Sequence, residues 1–234
     1  MNIRMKFKKH GCMKFIGHLD IMRYFQKAIR RAEIDIAYSE GFSPHMIMSF
    51  AAPLGVGLTS EGEYIDLQVH SCESSKEAVE ALNRVMVEGM DVVSYKRLPE
   101  NVKNAMSSVA AADYFVKFRD SYAPENWEEK FRTFLQKEEM LIVKKTKRSE
   151  AEVDLKPMLY EAELRDGGIF MQVACGSVNN LKPELVMEAF AKDADIELAP
   201  FALEVCRLEV YADLGTEDKR KLVPLEELGE DIEP

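Results

Sequence analysis

The sequence has few cysteines and no metal-binding cysteine motif. Its four cysteines, Cys12, Cys72, Cys175 and Cys206, are scattered through 234 residues, and no two of them form a CxxC pair. A zinc ribbon and a thioredoxin-type redox motif are therefore excluded, and no CxxxCxxC triplet is present that could hold an iron–sulfur cluster. The residues indicate no cofactor and favour a non-catalytic role, and thiols used in this way are typical of a reduced, cytoplasmic protein.

Long hydrophobic runs and spaced metal ligands are also missing. No stretch of about 18 apolar residues is free of charge, and the N-terminal sequence MNIRMKFKKHG has no apolar core, so we expect a cytoplasmic protein without a membrane span or signal peptide. His10, His18, Asp20 and His45 are suitable metal ligands by type, but no spacing joins them, and none is assigned to a metal. The glycines of the segment 53–57 lack the GxGxxG spacing of a phosphate-binding loop.

Charge is distributed unevenly along the chain. The formal net charge is −10, which argues against a protein that coats nucleic acid by bulk charge. Residues 1–31, however, hold nine Lys and Arg residues and one acid, a net charge of +8, whereas residues 212–234 sum to −5. A localised basic site near the N-terminus is therefore compatible with the acidic total.

Hydrophobic periodicity predicts an α+β protein made of two tandem ferredoxin-like domains of the split βαβ type, followed by an acidic C-terminal tail. In the first half we expect strands near 2–9, 35–38, 46–50, 63–69 and 90–97, with helices over 18–32 and between Ser74 and Gly89. In the second half we expect strands near 113–119, 140–146, 159–165, 169–175 and 201–211, with helices that begin near Pro124 and Pro183.

These elements divide the chain into a first domain over 1–98, a linker over 99–108, a second domain over 109–211 and the acidic tail over 212–234. The halves share an order of elements and no residue identity. Their pairing resembles the two ferredoxin-like domains of CRISPR repeat-processing endoribonucleases, which is an analogy of fold and not of function.

The helix predicted over 18–32 carries a basic face. Its cations are Arg23, Lys27, Arg30 and Arg31, and Tyr24 lies among them. Basic residues interleaved with an aromatic suit RNA phosphates and bases, although a solvated helix face has the same pattern. A second basic run over 144–148 would extend the same surface if the two domains face each other.

The segment from Ser39 to His45 is the second candidate site. Its glycine can adopt a positive φ and its proline holds the preceding residue extended, so we expect a rigid loop that presents His45. His45 in such a loop is compatible with a histidine locked by backbone hydrogen bonds, with a ligand or RNA contact, and with proton transfer. The residues assigned to binding here are Ser39, Gly41, Phe42, Ser43, Pro44 and His45.

The start of the helix holds His18 and Asp20. Ordinary capping by the helix dipole accounts for Asp20. The candidates for acid or base catalysis are His18 and His45, with Tyr24 as an assistant, and no catalytic residue is assigned outright.

Several motifs in these segments together resemble one bacterial family. They are Phe15-Ile-Gly-His-Leu-Asp-Ile-Met-Arg23, Arg30-Arg31-Ala32, Tyr38-Ser-Glu-Gly-Phe-Ser-Pro-His45, Pro53-Leu54-Gly55, Glu61-Gly-Glu-Tyr64, Val153-Asp-Leu-Lys-Pro157 and Leu181-Lys-Pro-Glu184. Their combination is similar to the radical-SAM-linked family, a group of uncharacterised bacterial proteins encoded beside, or fused to, a radical SAM protein. The resemblance covers most of 1–211. Gly17 stands where members usually have Ser, a change that a helix cap tolerates.

The resemblance implies a radical SAM protein encoded nearby as a partner, and genes of the family often lie near ribosome and RNA-processing genes. It implies no established activity. We therefore expect an accessory module that works with the radical SAM enzyme and binds RNA, a ribosomal component or another ribonucleoprotein. Two alternatives stay open: a metal-independent endoribonuclease that uses His18 or His45, and a protein-interaction module that binds no RNA.

Overall fold

The computed structural model describes residues 1–145, 150–216 and 219–234. Contacts divide the chain into two units, of which the first combines Met1–Ala110 with Arg207–Pro234 and the second is Ala111–Cys206. The described residues form mainly antiparallel strands and five α-helices, which confirms the α+β class. The tandem ferredoxin-like arrangement remains a prediction. Within the described ranges, no helix is long and apolar enough to cross a membrane.

The first part of unit one alternates strands and helices. Its elements are β1 (Asn2–Lys9), α1 (His18–Arg31), β2 (Met48–Phe50), β3 (Thr59–Gln68), α2 (Ser75–Asn83) and β4 (Met90–Arg97). β1 lies between β4 and β3 and is antiparallel to both, and β2 pairs with part of β3. The predicted strands near 35–38 and 46–50 are reduced to β2 and two isolated bridges, Ile36 with Val69 and Tyr38 with Met46.

One face of β1 builds the core of this unit. Ile3, Met5 and Phe7 alternate along the strand and are fully buried against the apolar stripe of α1. The Phe7 and Phe25 rings meet edge to face with centroids 4.6 Å apart. At α2, the Ser74 hydroxyl accepts the Glu77 backbone N–H at 3.2 Å, as its sequence predicts. The helix ends at Asn83, before the predicted stop at Gly89.

Arg4 lies on the other face of β1 and is also fully buried. Its Nε and Nη2 atoms form a bidentate ion pair with the two Asp66 oxygens on β3, at 2.8 and 2.9 Å. Nη1 donates to the Leu225 carbonyl at 3.2 Å, and Nη2 donates to the Lys103 carbonyl at 3.1 Å. A single guanidinium therefore joins β1, β3, the segment after β4 and the C-terminal residues.

The segment predicted as a linker over 99–108 packs on unit one. It contains a short helix, α3 (Ala105–Ser108), whose cap Asn104 accepts the Ser107 N–H at 2.9 Å. Ala105 is fully buried, and its N–H donates to Asp66 Oδ2 at 2.6 Å. Two backbone groups of this segment are thus held by the Arg4–Asp66 pair, which no local pattern in the polar sequence indicated.

Unit two begins within β5 and ends within the last long strand. Its elements are β5 (Val109–Phe118), α4 (Trp127–Leu135), β6 (Leu141–Lys145), β7 (Glu150–Asp154), β8 (Leu159–Arg165), β9 (Gly168–Ala174), α5 (Pro183–Asp193) and the start of β10 (Leu203–Asp213). β9 lies between β5 and β8, antiparallel to both, and β6 pairs with the unpredicted strand β7. Asp166 and Gly167 have φ values of 49° and 69° and form the tight turn between β8 and β9. Most of the basic run 144–148 lies outside the described residues.

The segment predicted as an acidic tail returns to unit one after β10. Residues of β11 (Leu222–Pro224) pair with the end of β10, and a 3-10 turn (Leu225–Leu228) buries Leu225 completely. Lys6 Nζ lies 2.6 Å from both Glu209 Oε2 and Glu226 Oε1. The acids of this segment therefore neutralise part of the basic N-terminus, instead of extending beyond the folded unit.

Charge pairing at this contact shifts the pKa of both partners. Burial by itself would lower the Lys6 pKa, but hydrogen bonds to Glu209 and Glu226 and their charges outweigh it and raise that pKa. Burial by itself would raise the Glu226 pKa, but hydrogen bonds from Lys6 and Ser94 and the positive charge of Lys6 lower it. The ionised pair is therefore the stable state of this contact.

We expect Arg4→Met to lower the free energy of unfolding by about 3–5 kcal/mol, because the Asp66 carboxylate would lose its buried counter-ion. Urea unfolding followed by circular dichroism measures the change. Arg23→Met is the matched control, since it removes an exposed arginine that pairs with Asp20 at 3.2 Å, and we expect a loss below about 0.5 kcal/mol. If both variants lost the same free energy of unfolding, the buried Arg4–Asp66 pair would contribute no more to stability than an exposed pair does.

We expect Glu226→Gln to destabilise the protein by about 1 kcal/mol at neutral pH, since it removes a charged partner of Lys6. The lowered pKa of Glu226 means that its contribution is present above the ordinary carboxyl pKa of 4.5 and is lost as the pH falls through its folded value. The difference from wild type should therefore shrink below pH 4.5.

Unfolding curves of both proteins across this pH range provide the check. The neighbouring exposed residue Glu227 supplies the control, and Glu227→Gln should show no such pH-dependent difference. A Glu226→Gln deficit that persists unchanged into acid would contradict the assigned ion pair.

Candidate functional site

The first turn of α1 has no side-chain cap. Its cap residue Gly17 has no side chain to accept a hydrogen bond. The N–H groups of Asp20 and Ile21 both donate to the Gly17 carbonyl, at 3.1 and 3.0 Å. Within the described ranges, the N–H groups of His18 and Leu19 have no acceptor. The buried stripe begins at Ile21, and Leu19 in the first turn is 62% exposed.

The basic residues of α1 lie on one exposed face. Arg23, Lys27, Arg30 and Arg31 follow an i, i+4, i+7, i+8 spacing, and all four are exposed. Arg23 pairs with Asp20, and Arg31 Nη2 donates to the Val85 carbonyl at 3.1 Å. In the part of the chain that the structure describes, Lys27, Arg30 and Arg31 have no carboxylate within 4.0 Å. The predicted basic face is thus assembled and largely unneutralised.

The Tyr24 hydroxyl is used in hydrogen bonds that hold the fold together. Its hydroxyl accepts the Val87 N–H at 2.8 Å and donates to Met86 Sδ at 3.3 Å. These bonds join α1 to the turns that follow α2. The hydroxyl is therefore engaged away from both candidate histidines.

The loop from Ser39 to His45 is closed by hydrogen bonds between its two ends. Ser39 N–H donates to the His45 carbonyl at 2.9 Å, and His45 N–H donates to Ser39 Oγ at 3.1 Å. Ser39 Oγ also lies 2.8 Å from His45 Nδ1. The residues between them are exposed; Gly41 has φ +106°, and the Phe42 ring is fully exposed. The loop holds His45 in place and leaves its Nε2 atom free of the Ser39 contact.

His18 lies in different surroundings. Its ring packs edge to face on Phe50, with centroids 4.9 Å apart, and it lines a small cavity. Among the described residues, no contact joins His18 to His45 or Tyr24. The cavity has a volume of about 10 Å³, close to the space that one water molecule occupies. It is lined by Phe7, Lys9, His18, Ile21, Phe50, Pro53, Leu54 and Glu63.

Lys9 also lines this cavity, although no sequence motif had marked it as a candidate site residue. Its side chain is buried with a residue exposure of 3%, and its Nζ contacts the Gly55 carbonyl at 3.4 Å. No carboxylate lies within 4.0 Å of this ammonium in the described parts of the chain. A signal did exist: Lys9 occupies the next alternate position after Ile3, Met5 and Phe7, so β1 carries it on its buried face.

The neighbouring buried charges are paired with each other. Arg207 Nε and Nη2 contact the two Glu63 oxygens at 2.8 and 2.5 Å, and both residues are buried. Both Glu63 oxygens are therefore bound by Arg207, and neither pairs with the Lys9 ammonium. Burial lowers the Lys9 pKa, Glu63 partly opposes that shift, and Arg207 adds to it.

No metal centre is formed by the residues that the structure describes. Within those ranges, no three His, Cys, Asp or Glu side chains come close enough together to hold an ion. The polar groups available for binding at the start of α1 are therefore the Lys9 ammonium, the His18 imidazole and backbone N–H groups that have no acceptor among the described residues.

Residues 2–183 match a bacterial family described as "Uncharacterized protein conserved in bacteria (DUF2344)". The chain belongs to the DUF2344 family. A comparison with curated proteins found no match. The DUF2344 match confirms the expected uncharacterised bacterial family, and the radical SAM partnership remains a prediction.

The DUF2344 region brings separated motifs to one place. Lys9 ends β1, His18 begins α1, Pro53 and Leu54 belong to the glycine-bearing loop, and Glu63 lies in β3, yet all line the same cavity. The basic face and the Ser39–His45 loop also fall within the matched residues. Arg207, which pairs with Glu63, lies beyond them.

We expect Lys9→Met to raise the free energy of unfolding by about 1 kcal/mol at neutral pH, because it replaces a buried cation without a counter-ion by an apolar side chain of similar length. The lowered pKa of Lys9 means that its cost is greatest where the lysine is charged, and it is relieved as the pH rises toward 10.5. The gain should therefore shrink with rising pH.

Urea unfolding at neutral and alkaline pH measures both effects. Lys8→Met is the control on the same strand, since Lys8 is partly exposed and pairs with Glu61 at 2.7 Å. That variant should be neutral or slightly destabilised. If Lys9→Met instead loses as much stability as a broken buried ion pair would cost, the description of Lys9 as a buried cation without a counter-ion is wrong.

Proposed function

We propose that this DUF2344 protein is an accessory module that binds RNA or a ribonucleoprotein and works with a radical SAM enzyme encoded nearby. The observation that carries the proposal is the exposed basic face of α1, formed by Arg23, Lys27, Arg30 and Arg31. Cations spaced along one helix face suit the phosphates of a nucleic acid strand. The first unit presents this face on a helix anchored to its core by Phe25.

The acidic total of the chain does not oppose this role. Acids of the C-terminal segment are used locally: Glu226 pairs with Lys6, Asp231 lies 3.9 Å from Lys96, and Glu230 lies 4.0 Å from Arg97. They are therefore engaged on β1 and β4. The basic face of α1 keeps its positive potential, except at Arg23, which Asp20 partly neutralises.

The Ser39–His45 loop adds an aromatic contact. Phe42 stands fully exposed at the loop tip, and the Ser39–His45 bonds hold the loop ends together. An exposed ring on a constrained loop can stack on an unpaired base, which favours single-stranded or structured RNA over a regular duplex. Ser43 and Pro44 shape the same exposed turn.

The radical SAM partnership rests on the resemblance of the motifs. The sequence has no cysteine triplet for an iron–sulfur cluster, so in this proposal the partner supplies the radical chemistry and this chain supplies recognition. We also propose that both units are ferredoxin-like. The β4-β1-β3 order with β2 on β3, and the β5-β9-β8 order, support that fold.

Two alternatives have less support. An endoribonuclease would use His18 or His45 with Tyr24 as an assistant, but the Tyr24 hydroxyl is bonded to Val87 and Met86 and not to either histidine. A protein-interaction module is favoured by the exposed Phe15 and Phe42 side chains. Binding of the radical SAM partner that survives nuclease and high salt, without affinity for RNA, would favour that second alternative.

We expect Arg30→Ala with Arg31→Ala to weaken RNA binding by about tenfold or more and to reduce the salt dependence of affinity by about two counter-ions. Fluorescence anisotropy with a labelled single-stranded RNA, repeated over a range of salt concentrations, measures both quantities.

Lys130→Ala with Arg132→Ala removes the same charge from exposed positions on α4 and is the matched control. We expect it to retain wild-type affinity and salt dependence. Full RNA affinity in the Arg30 and Arg31 double variant would refute the proposed role of α1.

A further inference from the structure

We infer that the cavity at the start of α1 is a binding site for a phosphate group, with Lys9 as its principal cation. This inference goes beyond the proposed RNA-binding face, because it rests on buried groups that are separate from the exposed cations of α1. The phosphate could belong to an RNA strand or to a free phosphorylated ligand, and both sources present the same charged oxygens.

The first argument is the unpaired charge of Lys9. A buried ammonium is strongly disfavoured unless it is paired or hydrogen-bonded. Lys9 has three N–H donors, and its contact within 3.5 Å is the long one to the Gly55 carbonyl. The buried arginines of the same unit differ, since Arg4 and Arg207 each have a bidentate carboxylate. An anionic ligand would supply the counter-ion that Lys9 lacks.

The second argument is the open N-terminus of α1. Gly17 leaves the cap position without a side-chain acceptor, and the N–H groups of His18 and Leu19 have no acceptor in the described parts of the chain. A helix of 14 residues places partial positive charge at this end. Backbone N–H groups at a helix start are a common phosphate site, and here the first helical residue, His18, lines the same cavity as Lys9.

The third argument is the neutralisation of nearby acids. Glu63 lines the cavity, but Arg207 already binds both of its oxygens. Asp20 in the first turn is exposed and pairs with Arg23. In the described parts of the chain neither carboxylate pairs with the Lys9 ammonium, so an anionic ligand can take that place.

The size and lining of the cavity limit how the group would enter. A volume of about 10 Å³ accommodates one oxygen atom, so a single phosphate oxygen would enter while the rest of the ligand stays at the opening. Phe50, Pro53 and Leu54 surround that oxygen with apolar surface, which strengthens its attraction to Lys9. The ring of His18 lines the cavity as a further polar group.

The test is a titration of the wild-type protein, labelled with ¹³C at lysine Cε, with inorganic phosphate. We expect a saturable shift of the Lys9 signal, and an affinity that is about tenfold weaker in Lys9→Met when binding is measured by calorimetry. Lys8→Met, on the opposite face of the strand, should bind as wild type does. Absence of a saturable Lys9 shift, or equal affinity in Lys9→Met and wild type, would overturn the inference.

Competition identifies the source of the phosphate. Displacement of inorganic phosphate by a single-stranded RNA assigns the site to a phosphodiester, whereas displacement by a ribonucleoside 5′-monophosphate and not by RNA assigns it to a free ligand. Either result supports the site. The proposed RNA-binding face is tested separately: unchanged RNA affinity in the Arg30 and Arg31 double variant would refute that face without bearing on the phosphate site.

Discussion

Arg4 joins four separate segments of the first unit through one buried guanidinium. It pairs with Asp66 on β3 and donates to the carbonyls of Lys103 and Leu225, while Asp66 also accepts the Ala105 N–H. A buried arginine is tolerated only when its donors are satisfied, so the segments that supply these acceptors must pack together. The same strand carries Arg4 on one face and the core residues and Lys9 on the other. The position of the candidate site therefore depends on the pairing that Arg4 stabilises.

Pairing also determines which charges remain available for function. The acidic segment after β10 is not a free tail, because Glu226, Glu230 and Asp231 pair with cations of β1 and β4. The exposed face of α1 and the buried ammonium of Lys9 are two positive features of this unit that largely lack carboxylate partners among the described residues. These two features lie on or beside one helix, yet they differ in kind: the first attracts a polyanion through solvent, and the second requires a single oxygen in contact.

Local signals predicted much of the fold. Alternation identified β1 and, over 63–69, the second half of β3, the 3.6-residue spacing identified α1, and Ser74 with Glu77 identified the start of α2. The elements that were missed, α3, β7 and β11, have little apolar periodicity of their own. α3 and β11 form because Asp66 and the end of β10, which are distant in sequence, satisfy their backbone groups. β7 instead pairs with the neighbouring strand β6.

For the site, the sequence by itself determined the basic face of α1, because side chains that recur every three to four residues must share one side of a helix. The sequence also predicted a constrained Ser39–His45 loop from Gly41 and Pro44, and in the structure hydrogen bonds between Ser39 and His45 close that loop. Only the tertiary structure decided that Tyr24 is held by Val87, that the acidic segment covers part of the basic N-terminus, and that Lys9 lacks a counter-ion while Glu63 is taken by Arg207. The physical reason is that a charge acquires its role from its partners and its burial, and those are properties of the folded chain.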